Sequence, residues 1–66
     1  MPSDRNIKYA NNEISLAKAY LSMDPNDNDQ KDRLAWWSAY LGDIETAKEN
    51  AVSEKVKKYI QKCETR

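Results

Sequence analysis

The run Asp24-Pro25-Asn26-Asp27-Asn28-Asp29 divides this chain and limits what either side of it can become. Proline disfavours helix at the residue before it. Asn and Asp bond to their own local backbone and favour turns. On both sides of this break the apolar residues recur at helical intervals, and no stretch alternates long enough to read as a strand. Upstream, Ile7, Ala10, Ile14, Ala17 and Leu21 stand 3, 4, 3 and 4 residues apart, a heptad seam. A second row, Tyr9, Leu16, Tyr20 and Met23, widens the apolar arc. Ser3 is a good N-cap, and Asp4 places negative charge in the first turn, where it suits the helix dipole. These features predict a helix over about residues 4–23 and a turn over 24–29.

Downstream, Leu34, Trp37, Leu41, Ile44, Ala47, Ala51, Val52, Val56, Tyr59, Ile60 and Cys63 carry the helical spacing, so a second helix is predicted over about 30–63. Gly42 is the one residue that challenges it. The steps from Trp37 to Leu41 to Ile44 keep helical phase through the glycine, and a lone glycine in a helix costs only about 1 kcal/mol relative to alanine. The helix is therefore expected to run on, with a kink at Gly42, or a cap there followed by a third helix opened by Asp43, as the alternative. The expected fold is all-α: one domain over residues 1–66, an antiparallel helical hairpin with a short first and a long second helix, assembled into an oligomeric bundle.

Size makes the assembly an expectation. With 66 residues the chain has little core to spare. It has one cysteine, Cys63, and no histidine, so neither an intrachain disulfide nor a structural zinc site can add stability. Helix rise gives about 30 Å for the first predicted helix and about 51 Å for the second. The first then leaves Val52, Val56, Tyr59 and Ile60 uncovered, and exposed apolar stripes of that kind mark interfaces. Trp36 and Tyr40 lean to one side of the same helix, and such residues anchor interfaces. The expected partner or oligomer interface is thus Trp36, Tyr40, Val52, Val56, Tyr59 and Ile60.

The remaining patterns narrow the function. Eleven basic residues balance eleven acidic ones, which argues against a protein held mainly to nucleic-acid phosphates. Lys55, Lys57, Lys58 and Lys62, with Arg66 beyond, nevertheless form a basic cluster that is a candidate anion contact. Positive charge near a helix C-terminus also complements the dipole, which is its simpler explanation. The acidic turn does not fit a calcium loop: Asp29 stands where the glycine is needed and Ala35 where the bidentate glutamate belongs. No apolar run can span a bilayer. The absence of a signal-type hydrophobic start, together with a free thiol, predicts a cytoplasmic setting.

Catalysis is not expected, because there is no histidine base, glycine-rich loop or triad, and no cofactor or metal is implied. Leu41-Gly42 below a tryptophan resembles part of the opening of a tetratricopeptide repeat. Ser38 and Glu45 stand where that repeat requires aromatic residues, so the family is not assigned. Neutral, helix-only chains of this size resemble accessory proteins of phages and mobile elements. The function expected is a non-enzymatic protein-interaction module acting as an inhibitor or adaptor. The alternatives are a nucleic-acid or nucleotide binder using the lysine cluster, and a structural subunit of a larger assembly.

Overall fold

The computed structural model describes residues 3–65 and is helical throughout, with no strand among the described residues. Arg66, the last residue of the basic cluster, lies outside them. The first helix, α1, spans Asp4–Met23, the range its spacing predicts. The Ser3 hydroxyl oxygen accepts from the Asn6 N–H at 3.2 Å, closing the first turn. Asp24 ends α1 in an extended conformation. The chain reverses through an Asp27 N–H to Asp24 carbonyl bond of 3.2 Å, and the Asp24 carboxylate accepts from the Asn26 N–H. Asp27 then caps α2, Asn28–Tyr40, through the Gln30 N–H. The cap is thus the last aspartate but one of the predicted turn.

The long second helix is not formed. Its span is divided into α2, α3 (Ile44–Asn50) and α4 (Glu54–Glu64). The first division is at Gly42, whose φ of +91° lies in the region that L side chains rarely adopt. Its N–H donates to Ala39 and the Asp43 N–H donates to Ser38, the paired bonds of a Schellman cap. Asp43 then caps α3 through the Thr46 N–H. The helical phase across Leu41 and Ile44 is a coincidence of spacing, since one residue closes α2 and the other opens α3.

The second division, Ala51-Val52-Ser53, has no glycine or proline. It is held from elsewhere in the chain. The Asp32 carboxylate on α2 accepts from the Val52 N–H at 2.7 Å and the Ser53 N–H at 3.0 Å. Ser53 caps α4 through the Val56 N–H.

The central helix is α2. On one side it packs against α1, which touches no other helix among the described residues; on the other it packs against α3 and α4, which also meet each other. Alanine makes this possible. Ala10 and Ala17 on α1, Ala35 and Ala39 on α2, and Ala47 on α3 are essentially inaccessible to solvent. Side chains this small let three neighbours approach one helix closely. Val56 and Ile60 complete the cluster from α4, with Trp36, Ile44, Ala51, Tyr59 and Cys63 packed against it. Burying each of these two aliphatic side chains contributes about 1.5–3 kcal/mol. Of the stripe expected to project at the C-terminus, Val56 and Ile60 are covered within the chain and Tyr59 is half-buried, because two turns bring α4 back onto α2, while Val52 stays exposed. An ion pair between Lys48 and Glu64 ties α3 to the far end of α4.

Candidate interaction surfaces

The outer face of α1 is the least covered apolar surface. Tyr9 and Leu16 each precede a buried alanine, Ala10 and Ala17, by one residue, which turns them about 100° away from α2. Tyr20 and Met23 extend the same row. The four side chains are 55%, 50%, 46% and 75% exposed in chain order. Among the described residues neither α3 nor α4 reaches this face, since both lie across α2.

A polar network borders that row. Glu13 is buried against α2, and its carboxylate meets the Arg33 guanidinium at 2.7 Å. The Tyr9 hydroxyl donates to Glu13, and this bond, more than the nearby negative charge, raises the phenol above its ordinary value; Arg33 works the other way. The Tyr9 ring also meets Trp37 edge to face, with centroids 5.3 Å apart. Tyr9 is thus held at the border between the inner and outer faces of α1, with its ring oriented before any partner arrives.

The second surface lies on α4. Trp36 and Tyr59 stack at 3.7 Å between centroids and 14° between planes. With Lys55, Lys58 and Lys62 they line a shallow concavity of about 270 Å³. Asp32, which fixes the start of α4, is itself held charged. Burial alone would raise its carboxyl, but the Ser53 and Val52 amides, with the Ser53 hydroxyl and Lys57, hold it below the usual carboxylate value.

The six residues expected at an interface part company here. Val56 and Ile60 are core, and Tyr59 and Trp36 are half-buried against each other. Tyr40 is half-buried and meets Trp37 edge to face at 5.7 Å. Val52 is exposed, in the connection before α4. Of the four lysines, Lys55, Lys58 and Lys62 share one concavity, while Lys57 turns to the other flank, 3.9 Å from Glu54. Tyr9, Leu16, Tyr20 and Met23 are legible in the sequence as a second row on α1, and the predicted difference in helix length, which points to the C-terminus, disappears once the chain breaks before α4.

No family model matches this chain, nor does any curated protein or solved structure. No helix among the described residues is long and apolar enough to cross a membrane.

Proposed function

We propose that this chain is a non-enzymatic protein-interaction module, that it works through the outer face of α1, and that a second copy of the chain occupies that face, packed antiparallel about Leu16. The observation that carries this reading is the row Tyr9, Leu16, Tyr20 and Met23, four large side chains between 46% and 75% exposed on one helix. Single exposed apolar residues are ordinary, whereas a contiguous row marks an interface.

The row is self-complementary. Leu16 lies midway between Tyr9 and Met23. Laid antiparallel on itself with Leu16 against Leu16, it sets Tyr9 of one copy opposite Met23 of the other, and Tyr20 opposite Asn12. The same register carries Arg5, which has no ion pair among the described residues, to the other copy's turn with Asp24 and Asp27. A two-fold contact requires such matching of one patch with itself. Large apolar side chains contribute about 1.5–3 kcal/mol each when fully buried, and half-exposed ones about half of that. Eight per dimer are enough to set against an association cost of about 4–15 kcal/mol.

The chemistry left to the chain fits a binding role. It has no histidine to act as a base, and its single thiol, Cys63, is half-buried. Roles as an inhibitor, an adaptor or a structural subunit all use a surface of this kind. Cross-linking tests the arrangement. In a Cys63→Ser background, Leu16→Cys is expected to oxidise to a covalent dimer and Asn11→Cys, on the opposite side of α1, to remain a monomer. Equal behaviour of the two variants contradicts the two-fold about Leu16.

A further inference from the structure

The concavity between α2 and α4 combines an aromatic pair that packs on the core with three lysines that make no ion pair among the described residues. Lys55, Lys58 and Lys62 stand 3 and 4 residues apart on one side of the helix. None of them has a carboxylate within ion-pair distance among the described residues, although Lys48, Lys57 and Arg33 each have one. In a chain whose formal charges cancel, three unneutralised ammonium groups are gathered around one depression. Trp36 and Tyr59, stacked on each other, supply aromatic surface to the same depression.

We infer that this concavity binds single-stranded nucleic acid, with a base against the Trp36–Tyr59 pair and three phosphates of a four-phosphate stretch on Lys55, Lys58 and Lys62. Seven residues of helix separate the outer lysines by about 10.5 Å. A stacked strand advances about 3.4 Å per phosphate, so this row spans three phosphate steps. Every base offers a π-face, and a basic groove beside aromatic rings is the usual means of holding a single strand without regard to sequence. Duplex bases are hidden from such rings. An acidic peptide would use the lysines and gain nothing from the part of the aromatic pair that the fold leaves uncovered. The site is separate from the apolar row on α1, since α1 and α4 do not touch.

The test is fluorescence anisotropy of a labelled oligothymidylate decamer titrated with the full chain across a range of salt. Binding is expected with a log–log salt slope of about −2, as three single-strand phosphate contacts require. The triple variant Lys55→Gln/Lys58→Gln/Lys62→Gln changes only exposed positions, and its circular dichroism is expected to match wild type. It should bind at least tenfold more weakly, with a slope near zero, while Lys57→Gln binds as wild type does. An abasic strand of the same length, and a duplex, should each bind at least tenfold more weakly than the decamer. No anisotropy change at millimolar protein, an unaltered triple variant, or equal binding of the abasic strand, the duplex or a polyglutamate peptide would overturn the inference.

Discussion

Two residues decide where the chain turns. Gly42 adopts a φ of +91°, and a Cβ built there meets nothing within 4 Å, so the cost of a side chain is wholly that of the backbone. Gly42→Ala is expected to destabilise by about 1–2 kcal/mol, and each kcal/mol lowers the melting temperature of a domain this size by about 4–8 °C. A rise in melting temperature would mean that the helix continues through Gly42 after all. Asp32 anchors the other turn by accepting two backbone N–H groups at the start of α4. Asp32→Ala is expected to cost about 1–3 kcal/mol, the worth of hydrogen bonds to a charged acceptor that is partly exposed. The carboxyl sits below its ordinary value when folded. Its contribution is therefore complete above the unfolded value of about 3.9 and is lost as pH falls through the folded one. Urea melts at a series of acid pH values should show the wild-type advantage over Asp32→Ala shrinking in that window. An advantage that is constant with pH would contradict the charged role of Asp32.

At the scale of elements, the sequence is legible where signals are local and opaque where they are not. Ser3, Asp4, the 3-and-4 spacing and the Asp-Pro-Asn turn together mark α1 and its end. The cap at Gly42 is visible in the sequence as an alternative, but the phase of Trp37, Leu41 and Ile44 masks it. The buried positions of α2 are Leu34, Ala35, Ser38 and Ala39, while Trp37 is only half-buried, because α2 has neighbours on two sides and three of its four buried side chains are small. The break at Ala51-Val52-Ser53 carries no local signal beyond Ser53, since the group that fixes it, Asp32, is 20 residues away. With that break unseen, α4 reads as a projecting helix and its stripe as an interface. The covered stripe changes what a substitution there does. Val56→Asp places an unpaired charge in the core and is expected to cost more than about 3 kcal/mol. It should abolish the cooperative thermal transition. A variant that melts like wild type would show that Val56 is not packed against α2.

The whole molecule is asymmetric. One side of α2 is closed by two short helices that brace each other; the other carries α1 alone, with buried alanines, a Glu13–Arg33 pair and an uncovered outer row. A chain of 66 residues with neither a disulfide nor a histidine-based metal site gains most from covering that row. Sedimentation equilibrium across a dilution series, on wild type beside Leu16→Lys, tests this most directly. Leu16 is half-exposed, so the substitution should leave the monomer's helical content unchanged. The account predicts a wild-type mass that moves between dimer and monomer with dilution, and a Leu16→Lys variant that is monomeric throughout. A wild type that is monomeric at every concentration, or a dimer that survives Leu16→Lys, would contradict it.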